Sequence, residues 1–249
     1  MNDQSLRVSG LSKRFGRLAA LEDVSFSVQP GEVLGLIGPN GAGKTTLFEC
    51  IAGVLPPSSG SVTFCGRDVP LRERHRHVFY LPDAIAPWPS ETVRWALDFT
   101  IGFFGGRADL KEELIESLAL APLVDSPIGT LSKGQRKRAL LAIGLLSPQP
   151  ILLADEPFEG LDLRQTRDVA ATLRAHAGRG RTLFLSIHQI ADAGRMCDRF
   201  VLLSGGRIRG EGTLPELARL RESASAGQAP VGDEGMALPS LEEVFLALT

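Results

Sequence analysis

Three short segments carry side chains suited to holding and cleaving a polyphosphate. Gly38-Pro39-Asn40-Gly41-Ala42-Gly43-Lys44-Thr45 fits the pattern G-x-x-x-x-G-K-[ST] at every fixed position. Its glycines let backbone N–H groups close around phosphate oxygens, and the helix start that follows adds a favourable dipole. Lys44 supplies a point charge to β- and γ-phosphates, the Thr45 hydroxyl is placed to ligate Mg²⁺, and Thr46 continues the same binding segment. Ile151-Leu152-Leu153-Ala154-Asp155-Glu156 is an apolar strand ending in two carboxylates. There Asp155 can hold Mg²⁺ and Glu156 can orient and polarise an attacking water. Leu131-Ser132-Lys133-Gly134-Gln135 contains a capping box, with Ser132 as N-cap and Gln135 reaching back. Taken alone it is a helix start; the sharper reading makes it a second anion-binding helix N-terminus, able to face a γ-phosphate.

These groups need elements to position them. Val24, Phe26 and Val28 alternate with Ser25, Ser27 and Gln29, the period of a half-buried strand, and Pro30-Gly31 makes a turn. Val33 to Ile37 reads as a buried parallel strand leading into the Gly-rich loop, followed by a helix from Lys44 to Ala52. Further strands are expected at Ser61–Cys65, Val78–Leu81, Ile151–Ala154, Leu183–Ile187 and Phe200–Leu203. Helices are expected at Glu91–Phe104, Leu110–Leu118, Gln135–Leu146 and Leu163–Ala177. Strands, a helical block and a return to βαβ order predict an α/β parallel core with a helical insertion. Ser223 to Pro239 reads as a linker, and Leu241, Val244, Phe245 and Leu248 form the apolar stripe of a closing amphipathic helix.

Composition narrows the classes. The 249 residues are 43% hydrophobic and 22% charged with a net charge of −2, which excludes a disordered or collagen-like chain and gives no footprint for a nucleic-acid partner. Cys50, Cys65 and Cys197 lack metal-ligand spacing and read as reduced, structural thiols of a cytosolic chain. Met1 to Ser5 has no signal-peptide character, and no run approaches the roughly 18 apolar residues of a membrane span. The basic runs Arg72-Glu73-Arg74-His75-Arg76-His77 and Arg136-Lys137-Arg138 are expected to be solvated faces.

With these motifs in this order, the chain resembles the nucleotide-binding subunit of an ABC transporter over nearly all of residues 5–222. The resemblance implies a P-loop NTPase core with an N-terminal antiparallel β-subdomain and an α-helical subdomain at about 84–146, all within residues 1–222, and ATP and Mg²⁺ as ligands. It makes 131–135 the family's signature segment, with Ser132, Gly134 and Gln135 facing a neighbour's nucleotide. Gly160-Leu161-Asp162 matches the D-loop, placing Asp162 near nucleotide. Phe15 aligns with the aromatic that stacks on adenine, and His188, in Ser186-Ile187-His188, with the residue contacting the γ-phosphate. Implied partners are an integral membrane permease and a second nucleotide subunit, as homodimer or paralogue, at the cytoplasmic face of the membrane. The function implied is ATP hydrolysis in a head-to-tail dimer that drives transport. Leu241-Glu242-Glu243-Val244-Phe245-Leu246 resembles the tail of subunits serving ABC-2 exporter-type permeases. Two other classes stay open: a soluble ABC ATPase acting on nucleic acid or the ribosome, and a non-hydrolysing regulatory subunit.

Four positions depart from the family pattern, one of them Phe15, which stands for a usual tyrosine and keeps the stacking face. Asp83 stands where a glutamine is usual; as a carboxylate it can still offer oxygen to Mg²⁺, shift the Mg²⁺ dependence, or keep only a coupling role. Its charge opposes a triphosphate unless a metal or a base neutralises it. Lys133 replaces a usual glycine and Glu159 a usual small residue. Trp88, Trp95, Phe99, Phe103 and Phe104 fall in the helical block. Some are expected in the core, and Trp88 follows the Asp83 loop, where a permease contact is expected.

Overall fold

The computed structural model describes residues 6–187, 194, 196–225, 243 and 246, the side chains of 221–225 excepted. In chain order the elements are β1 (Leu6–Phe15), β2 (Leu18–Val28), β3 (Val33–Ile37), α1 (Lys44–Ala52), β4 (Ser59–Phe64), β5 (Arg67–Asp68) and β6 (Val78–Leu81). Then come α2 (Val93–Phe104), α3 (Lys111–Ser117), α4 (Lys133–Leu146), β7 (Ile151–Ala154), α5 (Leu163–Gly178), β8 (Thr182–Ile187), β9 (Arg199–Ser204), β10 (Arg207–Gly212) and α6 (Leu214–Ser225).

The strands form a four-stranded antiparallel sheet, β2-β1-β4-β5, and a six-stranded sheet, β10-β9-β3-β8-β7-β6. In the second, all pairs are parallel except β9–β10. Its central strands β3, β7 and β8 are buried along their whole length and mostly apolar, because both faces are covered. On one face Leu34, Leu36, Leu153, Phe184 and Val201 pack with α1 and the antiparallel sheet. On the other Val33, Ile37, Leu152, Leu183, Leu185 and Leu202 share a core with α2, α3, α4 and α5. The helices between β6 and β7 are thus held by one apolar cluster continuous with the sheet.

Both basic runs depart from the expected solvated faces. Arg74, Lys137 and Arg138 are buried. Arg74 donates to the Cys50 carbonyl at 2.6 Å, at the end of α1, and Arg138 to the Leu118 and Ala119 carbonyls at 2.7 and 2.9 Å, at the end of α3. Arg181, entering β8, does the same for α4 through the Gly144, Leu145 and Ser147 carbonyls at 2.8, 3.1 and 2.5 Å. A guanidinium carries several donors and a positive charge, so it satisfies the unpaired carbonyls of a helix end and complements its dipole. β5 and β10 were not expected: the first is two residues long, and the second, Arg-Ile-Arg-Gly-Glu-Gly, lacks alternation. α6 runs through Ser225, past the linker start expected at Ser223; Arg, Glu and Ala favour helix there. The stripe of Leu241, Val244, Phe245 and Leu248 lies outside the described residues. Cys50 and Cys197 are buried, as structural thiols should be, whereas Cys65 is exposed at a turn with φ +52°.

His176 on α5 is buried, and its Nε2 has no hydrogen-bond partner among the described residues. Burial, reinforced by Arg179 and Arg181, pushes its imidazole down to about 4. The unfolded chain binds the proton from about pH 6.5 downward, and the folded one only near 4, so stability is lost as pH falls through that window. The loss is on the order of 3 kcal/mol. Urea unfolding at pH 7 and pH 5 is expected to give a smaller difference for His176→Leu than for the parent; equal differences would exclude His176 as a source.

Candidate functional site

The loop at 38–45 bridges the end of β3 and the start of α1 as the sequence predicts. Gly43 caps α1 at φ +104°, and a Cβ there would lie 2.6 Å from the Ala20 carbonyl, so the turn requires glycine. No acid occupies the first turn of α1. Its leading N–H groups and dipole therefore favour an anion. Lys44 Nζ lies back over the loop, donating to the Gly38 carbonyl at 2.8 Å and the Pro39 carbonyl at 3.3 Å. Burial lowers the Lys44 ammonium, against the opposing pull of Glu156 and Asp155.

A cavity of about 480 Å³ opens above the loop, lined by Phe15, Asn40, Gly41, Lys44, Thr45, Thr46 and Glu156 among others. That volume is in the range of small-molecule sites. Phe15 is exposed at its rim with Lys13 Nζ 5.0 Å from the ring centroid. Ala42 is buried, its N–H bonded to the Pro39 carbonyl at 3.1 Å.

Behind the loop, Thr45 Oγ1 donates to Asp155 Oδ2 at 2.7 Å. The other Asp155 oxygen accepts from Ser186 Oγ, which in turn accepts the Glu156 N–H at 2.9 Å. Ser186 on β8 thus fixes both strand-end acids, a role no local pattern announced. Glu156 has φ +48°, a conformation that costs a non-glycine residue on the order of 1 kcal/mol or more and here aims its carboxylate into the cavity. Burial raises the Glu156 carboxyl, Lys44 opposes this, and Glu159, Asp83 and Asp155 add to it. Thr45 and Asp155 offer hard oxygens beside a phosphate-shaped loop, a donor set that fits Mg²⁺.

The capping boxes at Ser132/Gln135 and Asp162/Gln165 both form. The Ser132 N–H donates to Gln135 Oε1 at 2.9 Å and the Gln135 N–H to Ser132 Oγ at 3.3 Å. Neither Ser132, Gly134, Gln135 nor Asp162 lines the Lys44 cavity. The two caps meet each other instead: a Cβ on Gly134 would collide with the Gly160 carbonyl. Three of the departures from the family pattern, Asp83, Lys133 and Glu159, also meet there. Lys133 pairs with Glu159 at 2.5 Å, and Asp83 pairs with Lys137 at 2.7 Å. Burial raises the Asp83 carboxyl, but Lys137, with Glu159 and Lys133, outweighs it and holds Asp83 below the usual carboxylate value. Of the two neutralising partners left open for Asp83, a metal or a base, Lys137 is a base in contact with it, from a run expected to be solvated. His188 lies outside the described residues.

In the helical block Trp88 is half-buried rather than free, with ring centroids 5.6 Å from Trp95 and 5.2 Å from Phe99. Phe99 continues the stack to Phe103 at 5.1 Å, and Phe103 is the most exposed of the series at 70%.

A family model described as ABC transporter matches residues 21–159. The Nod factor export ATP-binding protein I of Burkholderia lata is 36% identical over 208 residues, covering 81% of this chain and 68% of that protein. The protein of the same name from Ralstonia nicotianae is 33% identical over 221 residues, covering 85% and 68%. Among solved structures, an ATP-binding subunit of an ABC transporter is 29% identical with a TM-score of 0.82 over 98% of each chain. A nucleotide-free ATP-binding cassette from an ABC transporter is 25% identical with a TM-score of 0.76, covering 92% of this chain and 99% of that one.

Proposed function

The chain belongs to the ABC transporter family as its ATP-binding, ATP-hydrolysing subunit, and we propose that it works as a head-to-tail pair driving export through a separate membrane permease. The observation that carries the nucleotide role is the meeting of Lys44, Thr45 and Glu156 in one cavity with Asp155 behind them. The export direction rests on relatives named as export ATP-binding proteins. Residues 1–222 would form the ATPase domain, with the helical subdomain at about 84–146.

In this reading ATP lies along the loop with adenine against Phe15 and its phosphates under the N–H groups of 38–46. Thr45 and Asp155 would hold Mg²⁺, which would neutralise charge on the phosphates when bound. Glu156 takes the proton of the attacking water. Ser132 and Gly134, which stand away from their own chain's cavity, meet the γ-phosphate of a second subunit, identical or paralogous, with Gln135 and Asp162 fixing the caps around it. Two opposed helix N-termini attracted to one anion close the pair, and loss of the γ-phosphate opens it. The aromatic face ending at Phe103 supports permease docking there, with the chain peripheral at the cytoplasmic side; among the described residues no helix is long and apolar enough to cross a membrane.

With hydrolysis blocked by Glu156→Gln, addition of ATP and Mg²⁺ is expected to shift the protein from monomer to dimer in sedimentation velocity. Adding Ser132→Arg to that background removes the cap and crowds the opposed phosphate, so it should remain monomeric. A dimer that forms equally well with arginine at 132 would sink the cross-subunit arrangement.

A further inference from the structure

Lys137 lies one turn after Lys133 on α4, and both lysines reach acids outside their own helix. The two pairs differ in setting. Lys133 and Glu159 are both partly exposed, where an ion pair contributes little and salt screens it. The Lys137 side chain is 6% exposed. A buried ammonium needs a compensating charge and an acceptor for each of its three N–H groups. Lys137 has both, donating to Asp83 Oδ1 at 2.7 Å, to the Asp83 carbonyl at 3.4 Å and to the Asp155 carbonyl at 3.3 Å.

One ammonium therefore joins three parts of the chain: α4 of the helical block, the loop after β6, and the strand-end residue whose side chain meets Thr45 and Ser186. Its charge matters as much as its reach. Asp83, Glu156 and Glu159 each offer an oxygen within 4.8 Å of one another. Left alone, that corner would repel an arriving triphosphate. The same ammonium, seated on Asp83 Oδ1, also repels a divalent cation from that carboxylate.

Resting on the ATP-binding reading above, we propose that Lys137 is a positioning residue that takes Asp83 as its counter-ion. Asp83 then acts as a strut between the helical block and the end of β7 and not as a metal ligand. The resemblance leaves three roles open for Asp83; the Lys137 contact selects the mechanical one.

The test uses the full chain with Asp83→Asn, Lys137→Met and the double variant. ATP binding is followed by calorimetry across a Mg²⁺ series and with EDTA, and melting is followed without nucleotide. Asp83→Asn is expected to leave the half-saturating Mg²⁺ concentration within twofold of the parent. Lys137→Met should weaken ATP binding about tenfold with or without Mg²⁺, because the Asp83 charge is left uncompensated. The double variant should return to within about threefold of the parent, since neither charge remains. If Lys137→Met does not fold, folding of the double variant is the same rescue. A rise of fivefold or more in the Mg²⁺ requirement of Asp83→Asn would make Asp83 a metal ligand and overturn the proposal. A double variant no better than Lys137→Met would overturn it as well. A parent that binds no ATP would instead defeat the nucleotide reading, leaving the melting comparison to judge the strut.

Discussion

Replacing Glu156 by glutamine is expected to lower steady-state ATP turnover about 10²- to 10⁴-fold while ATP binding persists, the range associated with loss of a general base. Glutamine keeps the volume and the hydrogen-bonding oxygen but has no basic carboxylate. The backbone at 156 is held by the Ser186 hydroxyl and adopts φ +48°, so the substituted side chain enters the same cavity. Burial already raises the Glu156 carboxyl, and Glu159 and Asp83 reinforce this, which makes the ionised form a stronger base than a solvated glutamate. A phosphate-release assay checks the outcome. Turnover within threefold of the parent would take Glu156 out of the mechanism.

Lys44→Ala is the second large effect. The ammonium is buried, and among the described residues its acceptors are the Gly38 and Pro39 carbonyls of its own loop, so a phosphate can recruit it there without breaking an ion pair. Hydrogen bonds to charged groups contribute about 1.5–3 kcal/mol each. Losing those to β- and γ-phosphates is therefore expected to weaken ATP binding about 10²-fold or more. Calorimetric titration of the variant, with circular dichroism to establish the fold, measures this directly. Equal affinity would remove the loop at 38–45 from nucleotide binding.

These two residues were legible because their surroundings are local. The phosphate loop is a run of eight residues whose glycines, lysine and threonine encode both its turn and its chemistry. Asp155 and Glu156 were legible as acids at the end of an apolar strand, and Ser132 with Gln135 as a cap closed within four residues. The apolar runs of β3, β7 and β8 likewise implied strands covered on both faces.

Arg181 bonds to carbonyls of residues 144–147, Arg138 to those of 118 and 119, and Lys137 to Asp83. In the sequence Arg138 and Lys137 sit in a basic run indistinguishable from a solvated face. Ser186 is a polar residue between Leu185 and Ile187, and only the pairing of β7 with β8 puts it beside Asp155. Backbone conformation and capping are set by neighbours a few residues away, so the amino-acid order alone determined the loop, the caps and the strand-end acids. Whether a charge is solvated or buried, and which oxygen receives it, depends on segments that meet only when the chain closes. That closure is what decided the partners of Asp83, Lys133 and Glu159.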